Sequence, residues 1–244
     1  MKKILFIFLL ICGIQSIISQ TIQTDRPSAQ TESSSTVYKN AFQVEYGITS
    51  SFIKDTINNI ALPNSLYRFG ISKKIEIRIS NDLIFSNDFK EITIAPLHFG
   101  SKIQLIENDK IKLAFLSMIA MNNLKAEDKS QFFQNISTKI IGSNKLNDKF
   151  NIGYTLGHNL NPTKEKNDIN YSLLLSFGAS EKITSFIELY GYMNYMNEIS
   201  NHSSLDFGFA YLFNNQLQID CYLGSNLNFN EYFGAIGISY LFLK

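Results

Sequence analysis

The most constraining feature of the sequence is a two-residue alternation of apolar and polar side chains that recurs from residue 41 to the end of the chain. In the first such segment, Phe42, Val44 and Tyr46 alternate with Gln, Glu and Gly residues. Successive side chains of a β-strand point to opposite faces, so this period predicts strands with one apolar and one polar face. We count about twelve such segments, and in some of them, such as Glu91 to Leu105, apolar residues fall on both faces.

The first twenty residues form a separate segment. Two lysines precede an apolar run from Ile4 to Ile14, after which the chain turns polar. A short positive region followed by an apolar core of this length is typical of a secretory signal peptide, and the run is too short for a comfortable membrane helix. We therefore predict a signal peptide at residues 1–19, cleaved after Ser19. A retained N-terminal anchor is the alternative.

An exported chain with 45% hydrophobic residues must bury its apolar faces in a soluble core or in lipid. Strand lengths of about 9–11 residues and aromatic residues near strand ends favour lipid. We therefore predict an all-β fold, a single antiparallel transmembrane β-barrel of about 12 strands in the bacterial outer membrane, with outer-membrane lipid as its partner. The alternation alone is equally compatible with a soluble β-sandwich.

The links between predicted strands also favour the membrane barrel. Short links such as Ser72-Lys73 alternate with long polar links such as His158 to Asp168 and Asn194 to Asn201. Short periplasmic turns and long external loops are typical of outer-membrane barrels. The link from Ser143 to Lys149 is an exception, because it is long where a short turn is expected. An even number of strands places both ends of the barrel domain, predicted at residues 41–244, in the periplasm.

The polar faces carry charges that a membrane barrel would turn into its lumen. These residues are Glu45, Arg68, Glu76, Arg78, Asp82, Lys102, Glu188, Asp206 and Asp220. A barrel of about 12 strands lies between the filled small barrels and the open porins. Unpaired buried charge is costly, so one interpretation is a structural network of ion pairs. The other interpretation is a selectivity filter for a solute.

Residues 20–40 form a polar N-terminal arm without an apolar period. Its charged residues Asp25, Arg26 and Glu32 could pair with charges in the lumen. We predict that Asp25 and Arg26 dock at the periplasmic mouth, with Arg68, Arg78 and Glu45 as candidate partners. The arm is then either a plug that gates the barrel or a structural clamp, and the sequence leaves both open.

Several classes of function lack support in the sequence. The formal net charge is +1, and there is no basic and aromatic stripe for nucleic acid. The three histidines show neither metal-ligand spacing nor catalytic-serine spacing, so we predict no metal site, no cofactor and no enzymatic activity. His202, followed by two serines, offers only a weak case for a membrane hydrolase.

The start of the predicted mature chain resembles a known family. Thr24-Asp25-Arg26-Pro27 followed by Gln30-Thr31-Glu32-Ser33 looks like the opening of the family named for a MetA pathway of phenol degradation. Tyr67 to Ile71, Lys74 to Arg78 and Gly237 to Tyr240 are similar to its later strands. The chain departs from the family pattern in one acidic position of the opening motif, now serine, and in a turn at residues 38–39.

The resemblance covers the whole predicted mature chain and implies an outer-membrane β-barrel. The function we expect is a passive channel or uptake protein for small molecules, including hydrophobic or aromatic ones. The alternative is a structural or interaction barrel with a closed lumen and external loops that bind a partner.

Overall fold

The structure is a computed structural model that describes residues 21–27, 30–53, 56–86, 90–121, 133–161, 166–194 and 201–243. None of these residues belongs to a helix long and apolar enough to cross a membrane. The regular elements are β1 Phe42–Ile53, β2 Thr56–Gly70, β3 Ile75–Ser86, β4 Glu91–Ile94, β5 Leu97–Glu107, β6 Ile111–Met121, β7 Phe133–Lys145, β8 Phe150–Asn161, β9 Lys166–Gly178, β10 Ile183–Asn194, β11 His202–Asn214, β12 Leu217–Asn226 and β13 Glu231–Phe242. The predicted signal peptide at residues 1–19 lies outside the described residues.

The strands close into an antiparallel barrel. Strands that follow one another in the chain pair with each other, except β4 and β5, and β1 also pairs with β13 from Phe42 opposite Phe242 to Ile53 opposite Glu231. Strands β4 and β5 both pair with β3, along different parts of it, and together they make one barrel strand. The barrel therefore has twelve strands, which confirms the predicted fold.

The fourth barrel strand is interrupted, although the sequence predicted one continuous strand from Glu91 to Leu105. The interruption falls at Ala95-Pro96, between β4 and β5. Proline has no backbone N–H and cannot donate a hydrogen bond to a neighbouring strand, so it is found at the edges and irregular positions of a sheet. Ala95 donates instead to the carbonyl of Asp82 at 2.8 Å.

One end of the barrel, here called the turn end, carries short turns of a common design. An Asn or Ser side chain accepts hydrogen bonds from N–H groups two or three residues later, as in Asn108, Asn147 and Asn214. The link predicted from Ser143 to Lys149 is shorter than expected, because β7 continues to Lys145 and the turn around Asn147 follows directly. This end also holds the exit of β13, and we predict that it faces the periplasm, as the short turns of outer-membrane barrels do.

The opposite end, here called the loop end, carries the longer links, and much of them lies outside the described residues. Strand β8 ends there at Asn161, and β9 begins there at Lys166. We expect an epitope inserted near Lys164, itself outside the described residues, to be labelled on intact cells. Labelling only after lysis would show that the barrel has the opposite orientation.

The burial pattern is the reverse of that in a soluble protein. Large apolar side chains such as Phe209, Leu223 and Ile236 are more than half exposed on the outer face, whereas Glu45 and Lys102 are fully buried inside. A contiguous apolar exterior around a charged interior fits a barrel that faces lipid. A buried apolar cluster of Ile22, Val37, Ala41 and Leu241 lies at the turn end.

Candidate functional site

The N-terminal arm enters and leaves the barrel at the turn end. Near its start, the Ile22 N–H donates to the carbonyl of Asn215 at 3.0 Å; near its end, the Asn40 N–H donates to the carbonyl of Gly70 at 2.7 Å. A Cβ at residue 70 would lie 1.7 Å from the backbone carbonyl oxygen of Tyr38, so this close approach requires glycine. Between these points, residues 23–27 and 30–37 contact lumen side chains. The arm therefore makes a U-turn inside the barrel.

Space for the deepest described part of the arm comes from two facing glycines. Gly47 on β1 is paired with Gly237 on β13. A Cβ at either position would lie within 2.4 Å of the Pro27 ring. The proline ring therefore packs directly on the bare backbone of the barrel wall at the seam that closes it. A larger side chain at either glycine would push the arm away.

Asp25 is the centre of a buried charge cluster. Its Oδ2 lies 3.3 Å from Nη1 of Arg68, 2.8 Å from Nη2 of Arg78 and 3.0 Å from Nζ of Lys102. Glu76 lies among the same cations and binds the Arg68 guanidinium at 3.0 Å through both of its oxygens. These five side chains are almost completely excluded from solvent. The arm thus supplies a carboxylate that three cations of the wall share.

Glu32 makes the second ionic contact of the arm. Its carboxylate is bonded to the Arg78 guanidinium and to Lys139 Nζ, the latter at 2.6 Å. Lys139 was not among the sequence candidates, although it stands in an alternating segment and points into the lumen. Ser33 adds a neutral contact, because its carbonyl accepts a hydrogen bond from Lys102 at 2.7 Å.

Wall carboxylates also satisfy backbone N–H groups of the arm, which has no strand partner of its own. Glu45 accepts from the N–H groups of Asp25 and Arg26 at 2.7 and 2.6 Å. Glu188 accepts from the N–H groups of residues 30 and 31 at 2.6 and 2.5 Å. Glu76 accepts from the N–H of Val37 at 2.7 Å. Such bonds to ionised groups are stronger than neutral ones and leave the buried backbone paired.

The arm contacts the candidate partners Arg68, Arg78 and Glu45, but partly through its backbone rather than its side chains. Asp25 contacts Arg68 and Arg78, as predicted, and Lys102 in addition. Glu45 binds the backbone of Arg26 rather than its guanidinium, which lines a cavity of about 60 Å³ beside Tyr222. The contacts also lie deeper than the mouth of the barrel, where the sequence placed them.

Four of the nine predicted lumen charges do not join the ion-pair cluster, and one of them, Glu188, binds neutral donors of the arm. Asp82 accepts hydrogen bonds from the Asn64 side chain and the Ser65 backbone, both at 3.1 Å. Asp206 and Asp220 are buried on the opposite wall, and no described cation pairs with either of them. The lumen is therefore divided into a basic wall on β2–β7 and an acidic wall on β10–β12 and β1.

Two cavities lie along the barrel on either side of the arm. The one at the turn end measures about 560 Å³ and is lined by Thr21 to Thr24 of the arm and by residues of the short turns. The one at the loop end measures about 390 Å³ and has Gln30 of the arm at its boundary. No group of three or more His, Cys, Asp or Glu side chains in the described ranges could hold a metal ion.

The charge cluster makes docking of the arm dependent on pH. Burial raises the pKa of the Asp25 carboxyl, but Arg68, Lys102 and Arg78 outweigh burial and lower that pKa from 3.8 to about 2. Burial also raises the pKa of the Glu32 carboxyl, but Lys139 and Arg78 outweigh burial and hold that pKa well below its usual value. A carboxyl with a lowered pKa in the docked state stabilises docking above its free pKa, and the stabilisation is lost as the pH falls through the lowered value.

We therefore expect the arm to undock as the pH falls from about 4 to about 2. Conductance across a planar bilayer should rise over this interval for the full chain. A variant that lacks Gln20 to Ser33 but keeps the signal peptide is the control, and its conductance should not rise over the same interval. An equal rise in both proteins would show that acid acts on the barrel rather than on the arm.

Sequence and structure comparisons agree with this architecture. The family model described as "Putative MetA-pathway of phenol degradation" matches residues 24–242. The chain belongs to this family. A comparison of the sequence with curated proteins gives no match.

Solved structures with the same fold include outer-membrane channels. The NanC porin has a TM-score of 0.63 at 8% identity, covering 81% of this chain and 98% of the porin. The COG4313 outer membrane channel from Pseudomonas putida F1 has a TM-score of 0.58 at 10% identity, covering 91% and 100%. The CymD monoaromatic hydrocarbon channel has a TM-score of 0.51 at 10% identity, covering 85% and 89%. With its lipid-facing exterior, this family member is an outer-membrane β-barrel protein.

Proposed function

We propose that this protein is a passive outer-membrane channel for small molecules and that its N-terminal arm is the plug. The observation that carries the proposal is the position of the arm between two cavities that open toward opposite ends of the barrel. A solute that enters either cavity meets the arm before it reaches the other. Movement of the arm therefore controls the path through the lumen.

The way in which the arm is held supports a plug that can leave. Apart from the Pro27 ring, its contacts in the lumen are ion pairs and hydrogen bonds, whereas the apolar cluster that includes Ile22 and Val37 lies at the turn end. Ion pairs exchange readily for water contacts when a lumen hydrates, because water compensates both charges. Each end of the arm thus stays attached while the segment between them is able to move.

The solutes we propose are small aromatic molecules. The family is described by a pathway of phenol degradation, and one channel with the same fold is named for monoaromatic hydrocarbons. In this chain the loop-end cavity is bordered by Tyr190, Tyr192, Tyr222 and Phe233. Its volume of about 390 Å³ falls within the range of pockets that hold small ligands. The protein supplies a passage and has no catalytic role.

The test is conductance and solute uptake of the full chain and of the variant without Gln20 to Ser33. We expect the full chain to show brief, small openings and the shortened chain to show steady, larger ones. Proteoliposomes with the shortened chain should also take up phenol-sized aromatic solutes faster. Silence of both proteins, with correct barrel folding verified by circular dichroism, would refute the channel.

A structural barrel with a closed lumen is the second candidate. It is favoured by the complete burial of Glu45, Glu76 and Lys102, which fill the cross-section beside the arm. In that case the arm is a permanent clamp, and its deletion lowers thermal stability without producing conductance.

A further inference from the structure

The loop-end cavity has an aromatic wall. Phe233 lies with its ring centroid 6.1 Å from that of Tyr190 and 6.2 Å from that of Tyr222. The Tyr192 ring lies 5.0 Å from the ring of His202 in the same cavity. Three phenol rings, one phenyl ring and one imidazole thus border a space of about 390 Å³.

A glycine opens the space for the central ring of this wall. Gly224 on β12 is paired with Phe233 on β13. A Cβ on Gly224 would lie 2.4 Å from the Phe233 ring and 2.6 Å from Cβ of Asp206. The phenyl ring therefore occupies the place of a side chain and lies next to a buried carboxylate.

Carboxylates lie one layer below the aromatic wall. Along β10, β11 and β12, Glu188, Asp206 and Asp220 each lie two residues from a residue that borders the cavity, namely Tyr190, Ser204 and Tyr222. Two residues of a strand span about 7 Å, and their side chains point to the same face. The register places Glu188 directly opposite Asp206, so two acidic groups adjoin.

These carboxylates lack cationic partners among the described residues. Asp206 is 1% exposed, and neither of its oxygens has a hydrogen-bond partner. Asp220 is also 1% exposed and has one oxygen without a partner. Glu188 is bonded to neutral donors of the arm. The described residues bordering the cavity include Glu231 but no Lys or Arg. Burial without a counter-charge favours the protonated form of these carboxyls, and a positive charge placed nearby favours the ionised form, so entry of a cation and loss of the proton are linked.

We propose that the loop-end cavity is a binding site for a small organic cation, specifically an aromatic ring that carries an ammonium group. The faces of tyrosine and phenylalanine rings attract a cation within about 6 Å, and they pack equally well against an aromatic body. The carboxyl groups one layer below the cavity supply the counter-charge by losing their protons as the cation binds. The inference deepens the proposed function by naming a solute class, and it rests on that function only for the claim that the bound cation is then transported.

The test is calorimetric titration of the full chain in detergent with three ligands of nearly equal size. These are benzylamine, which is positively charged at neutral pH, benzyl alcohol, which is neutral, and benzoate, which is negative. We expect benzylamine to bind at least about fivefold more tightly than benzyl alcohol, and benzoate to bind most weakly. Equal affinities, or tightest binding of benzoate, would overturn the proposal. Neither result depends on conductance, so a failed channel and a failed cation site remain distinguishable.

Two substitutions separate the contributions of charge and ring. Asp206→Asn should remove most of the preference for benzylamine over benzyl alcohol, whereas Phe233→Leu should weaken the binding of both. Asp82→Asn is the matched control, because Asp82 already accepts two hydrogen bonds from Asn64 and Ser65. An unchanged preference in Asp206→Asn would contradict the proposed role of the carboxyl groups below the cavity. If that variant does not fold, the ligand series on the unaltered chain still decides the question.

Discussion

Replacement of Asp25 by alanine is expected to shift the docking equilibrium of the arm toward the free state by about 3–5 kcal/mol. The substitution leaves Arg68, Arg78 and Lys102 buried around a missing counter-charge, and Asp25 is itself fully excluded from solvent. Removing one partner of a buried ion pair costs far more than the pair contributes, because the remaining charges lose their hydration. The least costly response is release of the arm and entry of water.

Amide hydrogen exchange of residues 23–37 measures this release. Exchange in the variant should be about two to four powers of ten faster than in the unaltered chain, and conductance should rise with it. Asp82→Ala is the control, since the Asp82 carboxylate accepts hydrogen bonds from Asn64 and Ser65 of the barrel wall. Slow exchange of the arm in Asp25→Ala would mean that the cluster does not hold it.

Arginine on the outer face is expected to destabilise the folded barrel by about 2–4 kcal/mol near the bilayer midplane. Phe209 is the position of choice, because its side chain lies on the outer face near the middle of β11. Ile77 lies on the same outer face but nearer the turn end, so we expect a smaller cost there. The physical cause is transfer of a charged guanidinium into hydrocarbon. Reversible unfolding in lipid vesicles with urea measures the difference.

A matched control lies on the same strand and the same face as Ile77. Ile75→Arg at the start of β3 adjoins the turn end, where the side chain reaches the interface, so it should cost roughly 0–1 kcal/mol. Glu76→Arg should act through the lumen instead, since it removes a carboxylate that binds Arg68. Equal and mild costs at all these positions would indicate that the outer face meets water rather than lipid.

The alternation of side chains predicted the strands and their two faces, because period two reports which side chains share a face. Strand length, aromatic residues near strand ends and the predicted signal peptide were needed to favour a membrane barrel over a soluble β-sandwich. It placed Glu45, Glu76 and Arg78 on one side and Phe209 on the other, as the structure does. It could not predict the break at Pro96, because the apolar pattern continues across the proline. It also overestimated the link after Ser143, where polar residues still belong to β7.

The partners within the lumen could not be predicted from the sequence alone. They depend on the path of the arm, which has no apolar period to indicate its direction. The densely charged motif around Asp25 suggested docking, but the backbone contacts with Glu188 follow from the U-turn and have no signal in the sequence. The facing glycines 47 and 237 could have indicated a close approach, since paired glycines in strands leave room for another segment.

Reversible tethering of the arm tests its role as the plug most directly. A Cβ at Gly153 would lie 3.1 Å from Thr31 Cγ2, which is compatible with a disulfide between Thr31→Cys and Gly153→Cys. Cys221 is free and exposed, so it is replaced by serine in the same protein. We predict a silent bilayer with the oxidised protein and channel openings after addition of a reductant to the same membrane. Conductance that is the same before and after reduction would contradict a plug formed by the arm.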